Sequence, residues 1–199
     1  MKLTVDISNA KKSHAPDLAC LINMAGEGMP EYLWESMAEG NEKPLERGAK
    51  RAAREEGEFS YKHARVSMQA DQIAGMLIAY QQPNPYDTSD IDEYPDFIRP
   101  LVLLEAQVPG SWYINALAVY ESFQRQGIAR QLLLDTEKRA LAKGCSEMSI
   151  IVASTNVDAK SLYNSLGFVD KSALPVIPIN ENFHRGDWVL MTKGIGHSA

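Results

Sequence analysis

Two short stretches of this 199-residue chain hold residues whose types and order suit chemistry. The first is Gln124-Arg125-Gln126-Gly127-Ile128-Ala129, followed by Arg130. An apolar, strand-like run from Trp112 to Val119 stands before it, and a long amphipathic helical pattern, Ile128 to Lys143, stands after it. A strand, a glycine turn and a helix start together make a pocket for an anion. The exposed amides of the first helical turn point at the ligand, and the helix dipole favours negative charge there. Gly127 lets the chain turn tightly, and Ala129 keeps the helix start open to a bulky ligand. The plain alternative is an ordinary strand-to-helix turn. The second stretch runs from Asn156 to Phe168. Asn156 is a good N-cap and Gly167 a good residue just past a helix end. Between them Ala159, Leu162, Tyr163 and Leu166 share one face at helical spacing. Tyr163 reads either as a core aromatic or as a phenol that donates a hydrogen bond, since a phenol is neutral near pH 7.

These residues carry a resemblance. Gln124 to Ala129 matches the Gln/Arg-x-x-Gly-x-Gly/Ala loop of the GNAT N-acetyltransferases. Asn156 to Phe168 is similar to that family's Asn-x-x-Ala-x-x-Leu-Tyr-x-x-x-Gly-Phe segment, in the right order. Together the matches cover residues 112–170, about a third of the chain. The resemblance implies an α/β (α+β) fold with a mixed, mostly antiparallel central sheet, flanked by helices and splayed at a central β-bulge. It implies acetyl-CoA as cosubstrate, its pyrophosphate held by Gln124, Arg125, Gln126, Gly127, Ile128, Ala129 and Arg130. Leu117, Ala118 and Val119 would hold the pantetheine arm, and Asn156, Ala159 and Tyr163 would complete the CoA site. An amide at Leu117 would polarise the thioester carbonyl, as amides aimed at a developing oxyanion do. Tyr163 would act as general acid toward the departing thiolate. Residues 25–34 resemble a segment of a bacterial subgroup whose acceptors are mostly unassigned; its Tyr32 and Trp34 either face an acceptor cleft or pack a helix.

Acetyl transfer to an amine also needs the amine deprotonated and held within reach. The strand positions that face a substrate in some relatives are Tyr113, Asn115 and Leu117 here, none a good base at neutral pH. Glu105, Glu31 and Glu35 read as solvated or structural acids, and water relays could serve, so the base is left open. His14, His63 (read on a strand), His184 (read as a surface residue) and His197 show no spacing for a metal or a triad. Cys20 and Cys145 form no metal or disulfide pattern, and Cys145 reads as a packed residue between a helix and a strand. No metal is expected.

The elements that must position these residues follow from periodicity and punctuation. Thr4 to Ile7 suggests an edge strand. His14 to Met24 reads as a helix with Leu18, Leu21 and Ile22 inward. Pro30 opens a helix through Ala38, and Pro44 opens another through about Glu56. Glu58 to Met68 and Gln72 to Tyr80 read as a meander turning near Ala70 and Asp71, the second strand almost wholly apolar. Residues 81–110 carry Pro83, Pro85, Pro95, Pro100 and Pro109, and acids from Asp87 to Asp96 that no base matches before Arg99. A short helix, Leu101 to Gln107, is expected there. So long an insertion is often functional, and one wall of an acceptor site is the expectation. Glu147 to Val152 reads as the neighbour of the central strand. Phe168 to Lys171 and Asp187 to Thr192 read as an antiparallel pair, joined through Leu174 to Ile179.

The length fits one domain over residues 1–199. A hydrophobic share of 45% with 23% charged residues is that of an ordinary globular chain. The net charge of −6 argues against a general nucleic-acid binder and agrees with an amine acceptor. No apolar run approaches a membrane span, the N-terminus lacks a signal-peptide core, and the cysteine usage suits a reducing cytoplasm. Exposed terminal strands invite a homodimer. The leading expectation is an N-acetyltransferase moving an acetyl group from acetyl-CoA to a primary amine. The alternative is a non-catalytic acyl-CoA-binding sensor. A dinucleotide-dependent oxidoreductase is disfavoured because the loop lacks G-x-G-x-x-G spacing.

Overall fold

The computed structural model describes residues 6–196. The strands are β1 (Asp6–Asn9), β2 (Ala64–Gln69), β3 (Gln72–Gln81), β4 (Trp112–Val119), β5 (Glu147–Ala153), β6 (Val169–Pro175) and β7 (Asp187–Gly194). The α-helices are α1 (Ala15–Ala25), α2 (Met29–Met37), α3 (Pro44–Ala52), α4 (Arg99–Glu105), α5 (Ile128–Ala142) and α6 (Val157–Ser165). The seven strands form one sheet in the order β1-β2-β3-β4-β5-β7-β6. β1/β2, β2/β3, β5/β7 and β6/β7 pair antiparallel, while β4/β5 is parallel. The sheet is thus mixed and mostly antiparallel, with helices beside it.

The chain divides into two compact units, each drawn from two stretches of sequence. One holds the described residues up to Tyr80 together with Asn115–Thr136. In it α1 buries Leu18, Leu21 and Ile22, and β3 buries every residue from Ile73 to Tyr80. Each such large side chain contributes roughly 1.5–3 kcal/mol by leaving water. The β2–β3 turn is made by Ala70 and Asp71, both at positive φ (45° and 65°) as a tight primed turn requires. Between α2 and α3, Glu42 accepts from Arg47 (2.8 Å) and Lys50 (2.7 Å). The ammonium of Lys50 is the main reason that its carboxyl lies below the usual range.

The other unit holds Gln81–Ile114 and the described residues from Glu137 onward. Its core is Leu104, Ile114, Met148, Ile150 and Leu190, with Ser111 and Ser149 hydrogen-bonded at 2.7 Å inside it. The parallel β4/β5 register runs from Trp112↔Met148 to Ile114↔Ile150, although β4 continues to Val119 and β5 to Ala153. Register shifts fall at Ser67/Met68 in β2 and Asp170/Ser172 in β6.

Several boundaries differ from the sequence expectations. β1 is Asp6–Asn9; Thr4 and Val5 lie outside the described residues. α3 ends at Ala52, short of Glu56, because the Ser60 hydroxyl donates to the Arg54 carbonyl and turns the chain away. Ser60 also accepts from the Lys62 amide, capping a 3-10 turn over Tyr61–His63, so β2 begins at Ala64 and not at Glu58. His63 is therefore in that turn and not on a strand. α4 starts earlier, at Arg99, because Pro100 takes a first-turn position. β6 continues through Leu174 and Pro175, beyond the expected Lys171. The acids of the insertion do find a cation: Arg99 donates to the Tyr94 and Asp92 carbonyls and lies 3.2 Å from the Asp96 carboxylate.

Candidate functional site

In the first unit, β4 runs out at Val119, and the Tyr120 amide still donates to the Ala74 carbonyl (2.9 Å). A 3-10 turn, Glu121–Phe123, leads into the loop. Gln124 folds its side chain back to donate to the Val119 carbonyl (3.1 Å), tying the loop to the strand end. Arg125 and Gly127 both stand in the left-handed region, at φ 60° and 81°. Two such residues flanking Gln126 turn successive amides toward one concave side, which suits an anion. Gln126 is held by a bond from its side chain to the Ser122 carbonyl (3.4 Å) and another from Gln69 (3.2 Å). Ile128 is buried and anchors the helix start, while Gln124 to Gly127 are exposed.

The amides of Ile128, Ala129 and Arg130 precede the bond from the Gln131 amide to the Gly127 carbonyl (3.1 Å) and have no helical acceptor. The first turn of α5 carries no acidic residue, and no atom lies within 4 Å of where a Cβ on Gly127 would stand. The residues present therefore suit a phosphate group. α5 is pinned to the sheet one turn further on. Arg65 of β2 donates to both carboxylate oxygens of Asp135, at 2.8 and 3.2 Å.

Along β4, Asn115 and Leu117 are half-buried while the other residues of the strand are buried. They share a face, one pleat apart. Gly75 of β3 stands opposite the end of this strand: a Cβ there would lie 2.8 Å from the Ala118 carbonyl oxygen and 2.9 Å from Val119. Ala118 and Val119 are thus held against β3 by the absence of a side chain. Asn115 donates to the Tyr80 hydroxyl (3.1 Å), and the Tyr80 ring meets His63 edge-on, centroids 5.6 Å apart. The 3-10 turn that precedes the loop borders a cavity of about 750 Å³ whose walls include Asp17, Asp71, Tyr120 and Glu121. In it the Tyr120 hydroxyl donates to Asp17 (3.0 Å). Burial first, then that carboxylate, pushes the phenol well above its ordinary range.

In the second unit, the Asn156 side chain accepts from the Ala159 amide (3.2 Å), the N-cap bond expected of it. Tyr163 is buried on the inner face of α6, its ring 6.0 Å from Phe168, and no described residue shares a hydrogen bond with its hydroxyl. Burial pushes the phenol far above its ordinary range, so it stays protonated at neutral pH. Lys160 ties the same helix to Asp170 of β6 (2.8 Å).

The other candidates resolve into structural roles. Glu105 accepts from Tyr86 (2.9 Å), and Glu31 is locked to Asn23 by two bonds of 2.9 Å. Glu35 and Tyr32 are exposed, whereas Trp34 is buried with its ring against Gly48. His14 accepts from the Lys11 amide (3.2 Å). His184 is not a surface residue: it is half-buried between Phe183 (4.4 Å) and Trp188 (4.7 Å), apolar rings its own strand and loop bring together. Burial raises the Cys145 thiol and so disfavours its thiolate form. His197 lies outside the described residues. No group of metal-ligating side chains occurs among the described residues, nor any helix long and apolar enough to cross a membrane. Sequence reasoning missed the Tyr80–Asn115 and Arg65–Asp135 pairs, whose partners lie far apart in the chain; strand register could have signalled only the first, since Asp135 sits on α5.

A mixed sheet whose central strand leads through a left-handed glycine loop into a helix is the arrangement that the resemblance to the acetyltransferases implies. The model of the acetyltransferase (GNAT) family matches residues 28–168. The chain belongs to the GNAT acetyltransferase family. It is 28% identical over 105 residues to GCN5-related N-acetyltransferase 4, chloroplastic, of Arabidopsis thaliana, covering 53% of this chain and 32% of that one. The chain thus spans about a third of that relative's length. A solved structure described as an acetyltransferase is similar at a TM-score of 0.67 with 22% identity, covering 96% of this chain and all (100%) of that one. The structure of yncA from Salmonella typhimurium with its cofactor acetyl-CoA is similar at 0.61 with 16% identity, covering 98% and 96%. At these identities the structures speak to fold.

Proposed function

We propose that this protein transfers an acetyl group from acetyl-CoA to a primary amine by direct attack of the amine on the thioester. The observation that carries the reading is the cradle at residues 124–130: two left-handed residues, first-turn amides without a helical acceptor, no acid in the first turn of α5 and empty space over Gly127. The N-acetyltransferase name of the Arabidopsis relative and the acetyl-CoA held by the Salmonella protein support the same choice of reaction and donor.

In this reading Gln124 to Arg130 hold the pyrophosphate, and Leu117, Ala118 and Val119 hold the pantetheine arm by backbone bonds. The Leu117 amide polarises the carbonyl as the oxyanion develops. Tyr163 is the group assigned to the departing sulfur. Its raised pKa makes full ionisation uphill, so the hydroxyl acts chiefly as a hydrogen-bond donor to the departing thiolate. Asn156 sets the start of the helix that carries it. Residues 81–110 form a wall of the acceptor site.

The test is a mass-spectrometric acetylation assay with acetyl-CoA over alkylamines, amino acids, polyamines, aminoglycosides and peptides. An acetylated product with at least one amine class supports the reading. Saturable acetyl-CoA binding with no product from any of them would instead favour an acyl-CoA sensor.

A further inference from the structure

The acetyl-transfer reading leaves one chemical requirement without a residue: an amine acceptor arrives as an ammonium ion and must lose a proton before it can attack. No carboxylate stands on the half-exposed face of β4, where Asn115 and Leu117 are placed. One hydrogen bond and one ring contact lead from that face to a histidine. Asn115 donates to the Tyr80 hydroxyl at 3.1 Å, and the Tyr80 ring holds the His63 imidazole edge-on at 5.6 Å. His63, Tyr80 and Asn115 all belong to one compact unit.

We propose that His63 is the general base for the acceptor amine, and that Tyr80, fixed by Asn115, is the positioning residue that aims it. The inference rests on the acetyl-transfer reading. Three observations carry it. His63 is half-buried, so its ring is both fixed and reachable, while Tyr80 beneath it is buried. Asn115 is the same-face neighbour of Leu117, ~7 Å along the strand, so these contacts end beside the amide assigned to the thioester carbonyl. The cations that flank His63 in sequence are both compensated: Lys62 by Glu55 (2.7 Å) and Arg65 by Asp135 (2.8 Å). Histidine is also the side chain whose ordinary pKa, about 6.5, suits proton transfer near neutrality.

The proton balance is simple. Neutral His63 takes one proton from the ammonium, giving a neutral amine and an imidazolium. The nitrogen lone pair forms the C–N bond to the thioester carbon, and the C–S bond breaks with its electron pair leaving on sulfur. The second proton leaves the nitrogen as the amide forms and ends on the CoA sulfur. The imidazolium then returns its proton to water.

The experiment uses the best acceptor from the amine panel and analogues fluorinated beside its amino group, which are less basic and already neutral in the assay. His63→Gln should lower kcat ~10²-fold or more for the basic amine. It should leave the least basic analogue close to the wild-type rate and acetyl-CoA binding unchanged. Tyr80→Phe keeps the ring and removes the hydroxyl; it should show the same dependence on amine basicity at smaller size. A deficit of equal size for every amine in both variants, or none in either, would overturn the assignment of His63 while leaving acetyl transfer intact. Absence of wild-type transfer to every amine would overturn the acetyl-transfer reading and this inference with it.

Discussion

Tyr163 concentrates the argument at the residue scale. Its hydroxyl shares no hydrogen bond with any described residue, and it is buried enough to stay protonated. Tyr163→Phe removes one oxygen and keeps the ring against Phe168, so folding and acetyl-CoA binding should persist. The rate of transfer should fall ~10²–10³-fold, the usual cost of removing one hydrogen-bond donor to developing charge; single-turnover kinetics would measure it. A second consequence concerns stability at alkaline pH. Burial raises the Tyr163 and Tyr120 phenols above their unfolded value, near 10. Their contribution is complete below pH ~10 and is lost as pH rises toward the folded values, because the unfolded chain releases its protons first. Thermal midpoints should therefore fall more steeply above that pH for wild type than for Tyr163→Phe. Parallel curves would argue that the phenol is not buried. The helix that carries Tyr163 and the glycine turn before α5 were legible in the sequence as local structure, because spacing and caps define them. The contact of His63 with Tyr80 was not: a lone histidine has no motif, and only the fold sets it beside that ring.

At the scale of elements, the strand–loop–helix from Trp112 to Ala142 was readable almost residue for residue, since its punctuation is strong at both ends. The boundaries that moved are those set by side-chain caps. Ser60 ends one element and starts another through bonds to Arg54 and Lys62 that no periodicity announces. The close approach of β3 to β4 was equally hidden, because Gly75 looked like one more residue of an apolar run. Gly75→Ala would place a methyl 2.8 Å from the Ala118 carbonyl. Relieving that overlap should cost roughly 1–3 kcal/mol, visible as a drop of several degrees in thermal midpoint, and should displace the strand assigned to the pantetheine arm. An unchanged midpoint together with unchanged acetyl-CoA affinity would show that the approach is not tight. Gly127→Val tests the loop. The left-handed φ should cost ~1–3 kcal/mol, and the side chain would occupy the space left for phosphate. Acetyl-CoA affinity should drop about tenfold or more, each factor of ten being ~1.4 kcal/mol.

For the whole molecule, the family and its mixed sheet follow from two motifs that cover about a third of the chain. Residues 81–110 owe their path to prolines and to Arg99 gathering Asp92 and Asp96, a local arrangement that no family motif encodes. The net charge of −6 is consistent with drawing a cationic amine, and the anionic cosubstrate then depends on a local cradle against that overall field. The measurement that bears most directly on this account is a calorimetric titration of the wild-type protein with acetyl-CoA and with S-acetylpantetheine, which shares the thioester and lacks the pyrophosphate. The cradle at residues 124–130 predicts saturable binding of acetyl-CoA, much weaker binding of S-acetylpantetheine, and loss of that difference in Gly127→Val. Equal binding of the two ligands, or no binding of acetyl-CoA, would contradict it.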